Sequence, residues 1–183
     1  LLLLLGLLLI DLDRTLAASL LVAAACVRAG QFPWHGWIPA STQGTASATA
    51  LVYGVGSALA SVFLLGRAWG MIAATGFLPD VLGAVGAAGV LLGTLAALQQ
   101  QDPMKVIGWV YMLQTGMALL AFSAGDPAAA NLVVTSEVLV LGGAVLACGG
   151  LAGRVARFET AGGTSFGLRN RWAYLVLTLA WIS

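Results

Sequence analysis

Residues 79–99 read PDVLGAVGAAGVLLGTLAALQ and carry a single charged side chain, Asp80. A helix of about 20 apolar residues, rising about 1.5 Å per residue, crosses the hydrocarbon core of a bilayer, and this stretch is long enough to do so. The 183-residue chain is similar throughout, with 60% hydrophobic and 8% charged residues. Because a soluble domain carries about 25% charged residues, the composition fits poorly to a soluble enzyme, a disordered chain or a nucleic-acid-binding protein.

Four further stretches have the length of a crossing. The complete set of expected crossings is 15–37, 47–67, 79–99, 103–123 and 131–153. Pro79 and Pro103 stand near two of the expected helix starts, where a missing N–H costs least. We therefore expect an all-α fold, a polytopic transmembrane helix bundle that forms a single domain over residues 1–183. Short apolar segments at residues 1–10 and 171–183 are interpreted as partial helices, so the chain is expected to be a fragment of a longer protein.

The distribution of Lys and Arg predicts the orientation. If the crossings alternate, the loops at residues 99–105 and 154–171 lie on the same side of the membrane. These loops carry most of the basic residues: Lys105, Arg154, Arg157, Arg169 and Arg171. Because positive charge gathers on the cytoplasmic side, we expect both loops to be cytoplasmic and the protein to span the inner (plasma) membrane of a cell.

Helix-breaking residues cluster in the first expected crossing, where residues 28–39 read RAGQFPWHGWIP. Pro33 removes a helical hydrogen bond, and Gly30 and Gly36 loosen the helix further. The pattern predicts a broken helix, which a bilayer tolerates only beside protein or water and which recurs at transport sites. His35 either relays protons, since histidine exchanges them near neutral pH, or hydrogen-bonds within the break.

Away from the ends of the expected crossings, two charged side chains lie within them, Arg28 in the first and Glu137 in the fifth. Placing a charged side chain inside a membrane helix costs about 2.5–3.5 kcal/mol on insertion scales, so we expect a structural or functional role for each of the two. For Arg28 the alternatives are a functional charge and a snorkelling or structural ion pair. For Glu137 they are a functional carboxyl and a position at the membrane interface.

Hydroxyl groups recur every four residues from just before the second expected crossing into it, at Thr45, Thr49, Tyr53, Ser57 and Ser61. Consecutive members are neighbours on a helix, so they either line a polar seam with water or join two helices. The sequence carries no haem, flavin, iron–sulfur or nucleotide motif and no metal-ligand spacing. We therefore expect no cofactor, no metal site and no catalytic residue, and movement of ions rather than redox chemistry.

Residues 28–67 resemble the signature of the antiporter-like, proton-translocating membrane subunits of respiratory complex I, of cation/proton antiporters and of an inorganic-carbon uptake complex. That family pattern runs K-S-A-Q-x-P, then W-x-P, then E-x-P-T-P-V-S-A-L-x-H. Four residues match it directly: Gln31, Pro33, Trp37 and Pro39. Residues 99–120, QQQDPMKVIGWVYMLQTGMALL, are similar to a second family helix, T-D-x-K-R-x-x-A-Y-S.

The resemblance also assigns roles to positions. Arg28 stands where the family has a buried Lys, and Tyr53 replaces a His. Lys105 takes a basic position beside Met104, and the central Lys of a later helix corresponds to Ser136 or Glu137, depending on a one-residue shift of the alignment. The resemblance thus implies a proton pathway through Arg28, His35, Tyr53, Ser57, Lys105, Ser136 and Glu137.

The resemblance implies a proton-translocating membrane subunit of a multisubunit NADH-quinone oxidoreductase-like complex. Three alternatives remain: a subunit of a cation/proton antiporter, a subunit of an inorganic-carbon uptake complex, and a non-conducting structural subunit. The expected partners are other membrane subunits, the lipid bilayer and protons or other small ions, and no nucleic acid.

Overall fold

The computed structural model describes residues 1–160, without the side chains of residues 46–47, 50, 54–55, 103 and 146–160. The eight α-helices of this range are α1 (Leu2–Leu8), α2 (Arg14–Arg28), α3 (Trp37–Ser41), α4 (Ala46–Leu51), α5 (Ala60–Ala74), α6 (Leu78–Gln99), α7 (Pro103–Ser123) and α8 (Pro127–Thr160). A π-helical segment, Val52–Leu59, joins α4 to α5 and makes one continuous helix of them. No strand occurs within residues 1–160.

Four helical stretches are long and apolar enough to cross a membrane: Gly56–Ala74, Leu78–Gln99, Met104–Ser123 and Pro127–Val145. The predicted all-α, polytopic bundle is therefore confirmed. Residues 1–10 contain the short helix α1, as expected. The expected partial helix at 171–183, together with Arg169 and Arg171, lies outside the described residues.

The predicted boundaries differ from the structure in three places. The first expected crossing, 15–37, is not one helix, because α2 ends after 15 residues and rises only about 22 Å. The second continues beyond residue 67 to Ala74, since the left-handed Gly76 (φ 74°) is the first position that turns the chain away. The fifth continues past residue 153 to Thr160, so the start of the expected loop at 154–171 is helical.

The chain leaves the helical path where the sequence predicts a broken helix. Gly30 adopts a left-handed conformation (φ 65°), which glycine accepts without a steric penalty. The backbone N–H of Gln31 then donates to the carbonyl of Cys26 at 3.0 Å and closes the end of α2. Helical structure resumes only at Trp37, whose indole N–H donates to the carbonyl of Val27 at 3.2 Å. The two helical arms of the break are thus tied together by a side chain.

Aspartates cap three of the helices. The carboxylate of Asp13 accepts hydrogen bonds from the first backbone N–H groups of α2, and Asp102 and Asp126 do the same for α7 and α8. These side chains satisfy N–H groups that lack a partner within the helix. The acidic residues that flank the expected crossings therefore mark helix starts.

Helices α6 and α7 pack backbone against backbone. A Cβ added at Gly86 would lie 2.7 Å from the carbonyl oxygen of Gly116, and one added at Gly93 would lie 2.8 Å from that of Trp109. Small residues allow this approach in lipid, so the glycines of α6 serve helix packing. No described atom lies within 4 Å of a Cβ placed at Gly142 or Gly143 on α8.

Candidate functional site

At the end of α2, backbone carbonyl groups accept hydrogen bonds from side chains of α7. The hydroxyl of Tyr111 donates to the carbonyl of Arg28 at 3.4 Å, and that of Thr115 lies 3.2 Å from the carbonyl of Ala29. Tyr111 and Thr115 are four residues apart and so share one face of their helix. The break is thereby held against the middle of α7, as a broken helix in a bilayer requires.

Tyr53, in the π-helical segment, reaches the second arm of the break. Its hydroxyl donates to the carbonyl of Ile38 at 3.1 Å and lies 2.8 Å from the hydroxyl of Ser41, where either oxygen can be the donor. The side chain of Ser41 also donates to Ile38 at 2.7 Å. Hydroxyl pairs that can exchange donor and acceptor roles are suited to passing a proton.

The two tyrosines lie against each other. The rings of Tyr53 and Tyr111 stack with centroids 4.7 Å apart and an interplanar angle of 17°. Trp37 packs against both, with centroid distances of 6.1 Å and 6.0 Å. The aromatic contact fixes the two phenol groups in the interior of the bundle, where both residues are buried.

Glu137 completes this group of polar side chains from α8. The residue is 1% exposed, and both of its carboxyl oxygens are without a hydrogen-bond partner among the described groups. Ser57 in the π-helical segment is also buried, and α8 packs against both that segment and α7. We call Ser57, Tyr53, Tyr111 and Glu137 the polar cluster; it forms where α7, α8 and the π-helical segment meet.

Arg28 stands at the edge of the polar cluster. It is the last residue of α2, and its side chain is exposed on the surface of the described residues. Its guanidinium donates to the carbonyl of Gly56 from Nε at 3.0 Å and from Nη2 at 2.7 Å. Arg28 and Glu137 form no ion pair, since both carboxyl oxygens of Glu137 are without a described partner. The contact of Arg28 with Tyr111 is through its backbone carbonyl, which accepts the hydrogen bond of the tyrosine hydroxyl.

The remaining predicted pathway residues lie outside the polar cluster. His35 packs its ring against Phe32 and Trp109, at centroid distances of 6.0 Å and 5.9 Å, and its buried Nδ1 has no described hydrogen-bond partner. Lys105 lies in the first turn of α7, roughly 9 Å of helix rise from Tyr111. The hydroxyl of Ser136 donates to the carbonyl of Val133 in its own helix at 2.7 Å.

The structure also brings in residues that the predicted pathway omits. Tyr111 stacks on Tyr53 within the polar cluster, and Ser41 is the hydrogen-bond partner of Tyr53. The sequence does contain a signal for Tyr111: Thr115 follows it at a spacing of four residues, which places both side chains on one face of a helix. Ser41 carries no such signal, because its contact with Tyr53 depends on how the chain turns between α3 and α4. Of Ser136 and Glu137, Glu137 is the one that faces inward.

Comparison with known proteins now identifies the family. The family described as "NADH:quinone oxidoreductase/Mrp antiporter, TM" matches residues 2–180. The chain belongs to this family. The resemblance found in the break and in the helix after it is therefore confirmed, and the chain is an antiporter-like membrane protein of the complex I type.

Individual relatives agree with this assignment. NAD(P)H-quinone oxidoreductase subunit 5, chloroplastic, from Drimys granadensis is 33% identical over 120 residues, which cover 66% of this chain and 16% of the relative. The protein of the same name from Nymphaea alba is 32% identical over 116 residues, covering 63% of this chain and 16% of the relative. The chain thus matches about one sixth of the length of these relatives.

Proposed function

We propose that this antiporter-like chain is part of a proton-translocating membrane subunit in a multisubunit NADH-quinone oxidoreductase-like complex, and that the polar cluster is its proton-transfer site. The observation that carries the proposal is Glu137: a carboxyl group enclosed by the bundle, on a helix packed against α7 and the π-helical segment, and without a partner among the described groups. Ionisable groups within membrane helices are costly and mark ion pathways. The relatives are themselves named as quinone oxidoreductase subunits.

In this proposal Glu137 is the group that takes up and releases the proton. A proton arriving through the hydroxyls of Ser57 and Tyr111 binds a carboxylate oxygen of Glu137, and it leaves when that oxygen gives it to an acceptor on the other side. The hydroxyl pair of Tyr53 and Ser41 provides the connection towards the second arm of the break. Arg28 is a fixed positive charge that opposes a second proton at Tyr111.

The other members of the predicted pathway, His35, Lys105 and Ser136, have no contact with the polar cluster through a described hydrogen bond. In this proposal His35, within the break, and Lys105, at the start of α7, lie along the approach to the polar cluster. The proposed orientation puts the loop at residues 99–105 on the cytoplasmic side, so Lys105 would face the compartment from which protons are drawn.

The test uses the full-length protein assembled in its complex, in sealed membrane vesicles. Protons moved per NAD(P)H oxidised are measured for the natural protein and for Glu137→Gln, which keeps the size of the side chain and removes its titration. We expect this ratio to fall, while NAD(P)H oxidation in the presence of an uncoupler stays unchanged. The matched control is Thr135→Val on the same helix, because the Thr135 hydroxyl is exposed and donates to Asn131 at 2.7 Å. An unchanged ratio in Glu137→Gln removes this site from the mechanism.

The same vesicles separate the alternative functions. Proton movement that requires Na⁺ or K⁺ on the opposite side, and no NAD(P)H, indicates a cation/proton antiporter. Stimulation by bicarbonate indicates inorganic-carbon uptake. Equal proton movement with and without the full-length protein in an otherwise assembled complex indicates a structural subunit. Each of these outcomes contradicts the proposal.

A further inference from the structure

The side chain of Gln31 lies between α2, α6 and α7, and the sequence alone does not predict this location. It lies in the non-helical part of the break and is 0% exposed. Its side-chain Nε2 donates to the hydroxyl of Thr115 at 2.7 Å and to the carbonyl of Met112 at 3.0 Å, both in α7. Its backbone N–H closes α2, as described above. One residue therefore links the end of α2 to the middle of α7.

The other side of the Gln31 amide faces α6. Its Oε1 is buried without a described hydrogen-bond partner and fills the space over Gly89, where an added Cβ would overlap it. The side-chain amide of Gln31 therefore contacts the α6 backbone on one side and is hydrogen-bonded to α7 on the other. A glutamine in this position has no freedom to change its rotamer without losing a hydrogen bond or displacing a helix.

We propose that Gln31 is a positioning residue for proton transfer: its amide, clamped between Gly89 and Thr115, fixes Tyr111 in register with the end of α2 and with Glu137. This inference rests on the proposed function. The link to Tyr111 is direct, since Thr115 follows it by one helical turn and both side chains contact consecutive carbonyl groups of the break. A shift of α7 relative to the break moves the Tyr111 hydroxyl away from its partners.

Proton transfer is sensitive to such a shift. A donor and an acceptor must approach within about 2.6–3.2 Å, or be joined by one water, for the proton to pass. The hydrogen bond from the Tyr111 hydroxyl to the carbonyl of Arg28 is already long, at 3.4 Å. Loss of the Gln31 contact is therefore expected to slow transfer before it unfolds the bundle.

The first experiment measures protons moved per NAD(P)H oxidised for the full-length protein in its complex. We expect Gln31→Met, which keeps the side-chain length and removes both polar atoms, to lower this ratio to the level of Tyr111→Phe. Because Gln31 acts through Tyr111, the double variant should fall no further than Tyr111→Phe alone. The amount of assembled complex should stay unchanged in all three.

A second pair of variants keeps the inference testable if Gln31→Met does not assemble. Thr115→Val removes the hydroxyl at nearly constant shape and should lower the ratio, whereas Thr115→Ser retains the hydroxyl and should restore it. Gly89→Ala, whose Cβ displaces the Gln31 amide, should act like Thr115→Val. Its matched control is Gly66→Ala, where no described atom lies within 4 Å of the added Cβ.

Two results overturn the inference and leave the proposed function intact. One is a normal ratio in Gln31→Met, Thr115→Val and Gly89→Ala while Glu137→Gln and Tyr111→Phe lower it. The other is a double variant whose loss is the product of the two single losses, because Gln31 then acts independently of Tyr111. A normal ratio in Glu137→Gln and Tyr111→Phe as well overturns the proposed function itself.

Discussion

The guanidinium of Arg28 donates two hydrogen bonds to a single acceptor, the carbonyl of Gly56, which is 28 positions further along the chain. This carbonyl belongs to the π-helical segment, where the wider turn changes which backbone groups pair within the helix. The fork of an arginine can place two N–H groups on one oxygen, whereas lysine offers a single point of charge. The pair therefore ties the end of α2 to the one π-helical segment in residues 1–160.

Replacement of Arg28 by Lys is predicted to weaken this tie without removing the charge. The loss should be about 1 kcal/mol of unfolding free energy, at the low end for a hydrogen bond to a charged group because the side chain is exposed. Thermal unfolding of the full-length protein in detergent checks the prediction. Arg14→Lys, an exposed arginine at the other end of α2, should leave the midpoint unchanged. Equal midpoints for the two variants contradict the predicted role of the two hydrogen bonds.

Tyr53→Phe is predicted to separate packing from proton transfer. The variant keeps the ring that stacks on Tyr111 and removes the hydroxyl that bonds to Ile38 and Ser41. Stability should fall by about 1 kcal/mol, while the proton-to-NAD(P)H ratio should fall further than in Ser41→Ala. Tyr53→Leu, which also loses the stacked ring, should add a larger loss of stability. If Tyr53→Phe keeps the full ratio, the hydroxyl has no part in the pathway.

His35→Phe tests whether His35 transfers protons, as the family resemblance implies, or only packs against the aromatic rings around it. A phenylalanine preserves the stacking on Phe32 and Trp109 and cannot carry a proton. A loss of about tenfold or more in proton transfer is expected if His35 acts as an acid or base, and assembly should be normal. Full transfer in this variant, with a loss in His35→Ala, shows that the ring serves packing alone.

Much of the fold could be predicted because a bilayer imposes simple rules. The length and composition of 79–99 and 103–123 match α6 and α7 within one residue, since proline and aspartate mark their starts. The break near Gly30 followed from glycine and proline chemistry. The π-helical segment could not be predicted, because neither the hydroxyl spacing nor the glycines of Val52–Leu59 distinguish a π-helix from an α-helix.

The site was predictable only where chemistry alone singles out a residue. Glu137 stands out as a carboxyl in an apolar stretch, and its burial agrees with that expectation. Arg28 stands out for the same reason, yet its side chain is exposed, since burial depends on where α2 ends. Gln31 contacts Thr115, which is 84 positions away, and Ser41 contacts Tyr53 across the turn between α3 and α4. No local pattern encodes such contacts, because the first follows from the packing of α7 against the break and the second from the path of that turn.

Gly108→Ala is predicted to disturb the polar cluster from the α7 side. An added Cβ would lie 2.9 Å from the hydroxyl of Tyr53 and 2.9 Å from Cγ2 of Ile38. The Tyr53 side chain cannot move away from the added Cβ, because its ring is stacked on Tyr111 and its hydroxyl is hydrogen-bonded to Ile38. We expect a loss of about 1–3 kcal/mol, as for other overpacked interiors, together with a lowered proton-to-NAD(P)H ratio. Gly70→Ala on α5, with open space around the added Cβ, is the control and should retain both.

Gly86→Ala should separate α6 from α7. The added Cβ would meet the carbonyl oxygen of Gly116 at 2.7 Å and the Cβ of Leu119 at 3.0 Å, and a backbone carbonyl cannot rotate away as a side chain can. The helices must move apart, which removes van der Waals contacts along the interface. We expect a loss of more than about 2 kcal/mol, measured as a lower unfolding midpoint and a smaller yield of assembled protein. Gly142→Ala, in a similarly apolar helix with nothing within 4 Å, should be neutral or slightly stabilising, since alanine is the better helix former by about 1 kcal/mol. Equal losses in the two variants would show that glycine matters here through the helix backbone itself and not through the contact between α6 and α7.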